Sequence, residues 1–477
     1  MYPDLALYID GTWTSGTSGH TEDVLDPATE VVIGALPHAG LDDLNAAVAS
    51  ATRGFALWRK TPMAERAAVL TRAADLIADR ASNLAAIMTL EQGKTLAESA
   101  GEWARVVDTL RWHAGAVDAL AETIHPARSP HLVQKSVPVP VGVALALTAW
   151  NFPAILPVRK LAPALMAGCS IILKASEETP ASAIELVRAL ADAGLPAGVV
   201  NLVFGVPAEI SSTLLARPEV RKLSFTGSVP VGKLLARQAA DTLTPCTLEL
   251  GGHAPAIITA DADIETAAKT LAGFKTRNAG QVCIAPSRFF IERPAYKAFI
   301  ETFQAAFESQ VIGAGSDAAT TMGPMANARR IEAMEGFVAD AVGRGATVAT
   351  GGNRFGNQGF FFAPTILENV PADAQIMTDE PFGPVAPLQP FDDLDAVIET
   401  ANSLPYGLAA YAFTGSGTTR DMLIDRLESG GVAVNTVSPA QPETPFGGVK
   451  ESGLGYEGGL EGILAYTHKK LVSPPPV

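Results

Sequence analysis

Apolar residues recur at three- and four-residue intervals from Leu41 to Lys60 (Leu44, Val48, Ala51, Phe55, Trp58), the spacing of an amphipathic helix. Thr61-Pro62 reads as a cap with proline at the first helical position, so a second helix is predicted from there to Glu91-Gln92-Gly93, and a third from Thr95 to about Glu122. Then the rhythm changes. His131 to Pro140 alternates and holds prolines, as an edge strand or extended arm does. From Val141 short apolar runs alternate with helical stretches. Strands are predicted at 142–147, 170–174, 199–204, 222–225 and 246–250, and helices at 155–167, 180–193, 207–216 and 229–240. Such alternation builds a doubly wound parallel sheet, which takes its ligands beyond the C-terminal ends of the strands. After Gly251-Gly252 it resumes, with strands at 254–258 and 288–291 and helices from Asp263 and Tyr296, so a second α/β unit is expected. The tail from Gly458 to Val477 ends in Ser-Pro-Pro-Pro-Val and reads as an arm.

Composition narrows the function classes. The 477 residues carry 35 Lys+Arg against 50 Asp+Glu, a net charge of −15, with no dense basic run; a nucleic-acid binder would need one. Mean hydropathy is slightly positive, but the longest apolar run, Val137 to Trp150, holds two prolines and is shorter than the roughly 20 residues of a membrane span. The start, Met1-Tyr2-Pro3-Asp4, has no basic n-region before an apolar stretch. Three cysteines, Cys169, Cys246 and Cys283, make no disulfide framework and suit a reducing compartment, so a cytoplasmic location is expected. No metal site is expected.

Several residues could carry chemistry. Cys283 follows Asn278-Ala279-Gly280-Gln281-Val282 and falls between predicted elements, where functional residues concentrate; it is either a small buried hydrophobe or a nucleophile. Of the seven histidines only His253 lies near a motif, so a Cys-His pair has little support. Glu249 sits in Thr247-Leu248-Glu249-Leu250, an acid inside an apolar strand, and is either bonded to backbone or held with a raised pKa. Asn151, at the end of the first parallel strand, is a turn residue or an oxyanion donor. Gly227-Ser228-Val229-Pro230-Val231-Gly232 follows a strand and opens a helix, where backbone N–H groups could meet a pyrophosphate. Lys174 and Glu177, also at a strand end, could hold ribose hydroxyls or belong to a solvated loop.

These pieces occur together and in order. Trp150-Asn151-Phe152-Pro153, Lys174 with Glu177, Phe225-Thr226-Gly227-Ser228, Glu249-Leu250-Gly251-Gly252, Gly280-Gln281-Val282-Cys283, Glu380-Pro381-Phe382-Gly383-Pro384 and Pro445-Phe446-Gly447-Gly448-Val449-Lys450-Glu451-Ser452-Gly453 resemble the NAD(P)-dependent aldehyde dehydrogenase superfamily along essentially the whole chain. The resemblance implies an α/β fold: a doubly wound parallel-sheet cofactor domain (1–122 and 141–249), a second α/β catalytic domain (250–440) and a small β oligomerisation arm and tail (123–140 and 441–477), in a homodimer or homotetramer. It implies Cys283 as nucleophile, Asn151 as oxyanion donor and Glu249 as the base that activates water. Trp150, Lys174, Glu177, Gly227, Ser228, Gly232, Glu380 and Phe382 become cofactor contacts. A carboxylate at Glu177 would repel a 2′-phosphate, so NAD is expected over NADP, with NADP left possible because Ala175 stands where the family usually has proline.

Arg159, eight residues after Asn151, and Arg277, six before Cys283, match the arginines that hold a substrate carboxylate in the succinate-semialdehyde dehydrogenase branch. The expected reaction is oxidation of succinate semialdehyde to succinate; glutarate semialdehyde, an aromatic aldehyde, or a cofactor-free cysteine esterase are the alternatives. Some members of the branch carry a second cysteine two residues beyond the nucleophile; here that residue is Ala285, so no redox switch is expected. Their third polar contact comes from the loop that here runs Ser438-Pro439-Ala440-Gln441-Pro442-Glu443-Thr444, where no equivalent is evident.

Overall fold

The strand Val143–Leu147 is buried at every position, so neither face can be left to water. It occupies the middle of an eight-stranded sheet in the computed structural model, which describes residues 2–126, 133–437 and 440–473. The order across that sheet is Gly453–Leu454, Cys246–Leu250, Val220–Gly227, Val143–Leu147, Ser170–Lys174, Val200–Val203, Leu7–Ile9, Thr12–Thr14. The five central strands are parallel and the outer ones antiparallel. Chain order reverses between Val143–Leu147 and Val220–Gly227, and a crevice opens beyond the C-terminal ends of such a pair. The turn after the first holds Asn151; the turn after the second holds Ser228. A second, seven-stranded sheet runs Thr347–Thr350, Thr365–Glu368, Val385–Phe391, Pro286–Glu292, Ala254–Ile258, Ala409–Phe413, Gly431–Val434. A three-stranded sheet joins Thr467–Val472, Gln134–Pro140 and Thr123–His125. The fold is the mixed α/β, parallel-sheet architecture expected, and the apolar run Val137 to Trp150 is divided between two strands of different sheets.

Some boundaries differ from expectation. The second predicted helix is two, Met63–Asp79 and Ala81–Gln92, because Arg80 (φ −97°, ψ 2°) leaves the α region without disturbing the apolar spacing. Pro62 is the N-cap, not the first helical residue. The third helix, Leu96–Gly115, stops short of Glu122 and passes into a short 3₁₀ turn, Val117–Leu120. Four N-terminal strands between Leu7 and Pro37 had no sequence signal, being three to six residues long and pattern-poor. Within the 441–477 segment, Gly453–Leu454 adds to the edge of the first sheet, while Thr467–Val472 pairs with Gln134–Pro140. His131, the expected start of the arm, and Ser438-Pro439 lie outside the described residues. No helix among the described residues is long and apolar enough to cross a membrane, and no His/Cys/Asp/Glu group among them could hold a metal ion.

Candidate active site

The turn that carries Cys283 is held in an unusual backbone shape. Asn278, Ala279 and Gly280 follow one another at φ 49°, 50° and 73°, a left-handed run that a residue with a Cβ adopts only at a cost in strain. Contacts on all sides hold it. Glu98 accepts from the Asn278 N–H at 2.7 Å, and the Asn278 amide donates to the carbonyls of Asn151 (3.0 Å) and Gln281 (3.2 Å). A Cβ on Gly280 would fall 2.2 Å from the Gly383 carbonyl oxygen, so this glycine lets the turn rest directly on the Glu380–Pro384 loop. That loop bends sharply too, with Phe382 at φ 46°.

The helix Leu96–Gly115 reaches into the same region. Glu102, fully buried, forms a 2.6 Å ion pair with Lys94 and accepts the backbone N–H groups of Ala154 (2.9 Å) and Ile155 (3.0 Å), capping the helix that follows the catalytic turn. Lys94 donates in turn to the Asn151 carbonyl at 2.9 Å. The Asn151 side chain is thereby fixed; one of its amide hydrogens goes to the Gln281 carbonyl at 3.1 Å, which leaves the second for an oxyanion.

Two cavities meet at Cys283. The larger, about 320 Å³, is lined by Trp150, Asn151, Gly227, Ser228, Glu249, Arg330, Glu380 and Phe382 among others. The smaller, about 100 Å³, is lined by Phe152, Phe274, Phe446, Arg105, Arg159 and Arg277 among others. Burial pushes the Cys283 thiol up to about 12; Glu380 and Glu249 add to the shift, and Arg159 and the residue's own backbone N–H oppose it.

Glu249 is buried, and neither of its carboxylate oxygens has a hydrogen-bond partner among the described residues. Burial and then the neighbouring Glu457 raise its pKa well above the carboxylate range, against the pull of Lys160 and Arg159. A buried carboxyl facing a cavity with both oxygens unused fits a base waiting for water. Lys160, buried in the apolar helix Ile155–Ala167, is paired with Glu457 and donates to Thr226 Oγ1 at 2.8 Å.

The dinucleotide groove is legible beside this centre. The helix Val229–Ala240 begins at Ser228 with no side-chain cap, so its first N–H groups are open to an anion in the larger cavity. Lys174 and Glu177 pair at 2.7 Å, and Glu177 also accepts the Gly205 N–H at 3.3 Å. They lie outside the larger cavity's lining, at the next strand end. Gly232 touches neither cavity: a Cβ there would come within 2.4 Å of Leu250, so it serves helix–strand packing. Trp150 meets Phe382 edge-on at 5.6 Å. His253, bonded to Ser287 (2.6 Å) and the Ile376 carbonyl (3.0 Å), is occupied elsewhere and is no partner for the thiol.

The residues present therefore suit a nicotinamide dinucleotide on one side of the sulfur and a substrate on the other. Comparison with known proteins agrees: residues 13–472 match the model of the aldehyde dehydrogenase family. The chain belongs to that family. The enzyme is 45% identical over 472 residues, 99% of this chain and 98% of the other, to 4-(hydroxymethyl)benzenesulfonate dehydrogenase of Comamonas testosteroni. It is 40% identical over 465 residues, 97% of this chain and 96% of the other, to the NADP+ succinate-semialdehyde dehydrogenase of Escherichia coli strain K12. Its structure superimposes on that of succinate-semialdehyde dehydrogenase from Burkholderia pseudomallei with a TM-score of 0.97 at 39% identity, covering 98% of each chain.

Sequence reading missed Arg105, Lys94, Glu102, Lys160, Arg330 and Glu457 in this dehydrogenase. Lys160 carried a signal that could have been used, a charge within a wholly apolar helix. The others sit in ordinary polar surroundings along the chain.

Proposed function

We propose that this aldehyde dehydrogenase oxidises an aldehyde whose far end carries an anion, with NAD+ preferred over NADP+. The observation that carries the reading is the meeting of two cavities at Cys283, one lined by the Gly227-Ser228 turn and Glu249, the other by Arg277, with Arg159 on the lining of both. Among the described residues neither arginine has an ion-pair or hydrogen-bond partner for its guanidinium. Arg159 lies over the Phe446 ring at 5.0 Å and Arg277 over Phe152 at 5.5 Å. Free cations on aromatic platforms in a protein of net charge −15 suit an anionic substrate.

The chemistry follows from the groups around the sulfur. Cys283 Sγ, as thiolate, adds to the aldehyde carbon. The free hydrogen of the Asn151 amide and the backbone N–H of Cys283 stabilise the oxygen that becomes negative; such a donor contributes about 3–4 kcal/mol. A nicotinamide held in the larger cavity beside Trp150, Glu380 and Phe382 would supply the hydride acceptor that converts the adduct on Cys283 to a thioester. Glu249 then takes a proton from water as the water oxygen adds to the thioester carbon, and the C–S bond breaks to release the acid and return Cys283 as thiolate. Glu177 supports the cofactor preference, because a carboxylate suited to a ribose hydroxyl repels a phosphate in its place.

Succinate semialdehyde is the reading favoured by the Arg159–Arg277 pair. The aromatic walls Phe152, Phe274 and Phe446, with the Comamonas testosteroni relative, support an aromatic aldehyde bearing a sulfonate as the second. A panel of neutral and anionic aldehydes with each nicotinamide cofactor tests the proposal. Arg277→Ala should raise KM for succinate semialdehyde tenfold or more while changing that for a neutral aldehyde little; equal effects would remove the anion clamp. Glu177→Ser should move the kcat/KM ratio toward NADP+ by about tenfold, close to the 1.4 kcal/mol of one lost repulsion.

A further inference from the structure

The substrate-side cavity holds a third cation. Arg105 lines it together with Arg159, Arg277 and Cys283, and also lines a narrow extension of about 20 Å³ toward Thr109 and His113. Arg105, Thr109 and His113 follow one another four residues apart on the helix Leu96–Gly115 and so share one face. Among the described residues no hydrogen bond or ion pair occupies the Arg105 guanidinium. Of the acids on its helix, Glu102 is committed to Lys94 and the backbone of Ala154 and Ile155, and Glu98 to Thr95 and Asn278, while Asp108, one turn further on and exposed, forms no ion pair with it among the described residues. Crowding by the protein and then the charge of Arg277, with Arg159 adding to it against the pull of Glu102, lower the Arg105 pKa to about 10, so Arg105 stays cationic at neutral pH within the field of the other two guanidinium groups. Arg159 and Arg277 each rest on a phenylalanine ring, whereas Arg105 reaches in from the exposed mouth.

Two guanidinium forks suffice for a carboxylate, whose two oxygens lie in one plane. A third fork on the same cavity gains nothing from such a group but matches a tetrahedral head with three diverging oxygens. We propose that Arg105 is a specificity-determining residue that, with Arg159 and Arg277, selects aldehydes ending in a sulfonate over those ending in a carboxylate. The same cavity is lined by Phe152, Phe274 and Phe446, whose rings suit the flat body of an aromatic substrate. This assignment rests on the anionic-aldehyde reading above and, within it, places the sulfonate-bearing aromatic aldehyde ahead of succinate semialdehyde.

The experiment uses three aldehydes with one ring and different far ends: 4-formylbenzenesulfonate, 4-formylbenzoate and benzaldehyde. Steady-state constants are measured for the unaltered enzyme, Arg105→Ala and Arg105→Lys, with thermal melting to read folding. The sulfonate-to-carboxylate ratio of kcat/KM should fall at least tenfold in Arg105→Ala, through KM, and recover in part in Arg105→Lys. An unchanged ratio, whether both anions weaken together or neither does, overturns the role of Arg105 while leaving the anionic-aldehyde reading intact. If the unaltered enzyme favours neither anion over benzaldehyde, that underlying reading fails and the assignment falls with it. Should Arg105→Ala melt early, the lysine variant alone decides: an unaltered ratio there, with weakened binding of both anions, also overturns the proposal.

Discussion

At the residue scale the site depends on two carboxyls with different duties. Glu249 has no bonded partner among the described residues, so its replacement removes a base without unseating a neighbour. In Glu249→Gln the thioester should form and then persist: one burst of NADH per site, followed by turnover slowed about 10²- to 10⁴-fold, measured by stopped-flow absorbance. Steady slow turnover without a burst would assign water activation to another group. Glu380 acts on the sulfur. Burial raises its own pKa to about 8, so its charge is present above that pH and pushes the Cys283 thiol up. Removing the charge favours the thiolate; Glu380→Gln should therefore lower the apparent thiol pKa, read as faster iodoacetamide alkylation above pH 8.

At the element scale one helix, Leu96–Gly115, underlies much of the site. Its Glu102 neutralises Lys94 and caps the helix Ile155–Ala167, and Lys94 steadies Asn151. Removing one partner of a buried pair costs about 3–5 kcal/mol. Glu102→Ala should lower the melting temperature by several degrees and reduce kcat as well, because Asn151 loses its brace. His113, near the end of the same helix, is buried with its Nδ1 bonded to the Thr109 carbonyl. Burial lowers its pKa to about 4. The unfolded chain protonates this ring near pH 6.5 and the folded chain does not until about pH 4, so stability present above 6.5 is lost as the pH falls through that window. His113→Asn should remove up to about 3 kcal/mol of that acid sensitivity, measured by denaturant unfolding at pH 7 and pH 4.5.

Legibility in the sequence followed the same division. Glu249 and Cys283 stood out because each is a reactive type in surroundings that do not otherwise call for it, and the alternation of strands and helices placed the crevice. Glu102 and Arg105, on an amphipathic helix, and Lys94, in the turn before it, could not be seen: they look like solvated charges, and what makes them otherwise is packing against segments far along the chain. The Lys160–Glu457 pair spans 297 positions, a separation no local pattern reports. The break at Arg80 escaped for the opposite reason, since one residue outside the α region does not interrupt a repeating apolar stripe.

For the whole molecule, the three-stranded sheet exposes apolar side chains at both edges, Ile124 at 68% and Leu471 at 65%. Unpaired edges with apolar residues favour pairing with another copy. The expected state in solution is a homodimer or homotetramer, and Leu471→Glu should shift it toward the monomer by light scattering while the isolated subunit keeps its fold. The meeting of two cavities at one sulfur gives the catalytic cycle separate doors. On the proposed reading, an acyl group anchored on Cys283 beside Arg277 would leave the larger chamber, which Glu249 lines, open to an incoming water, so the order of the two half-reactions would be set by which chamber is filled.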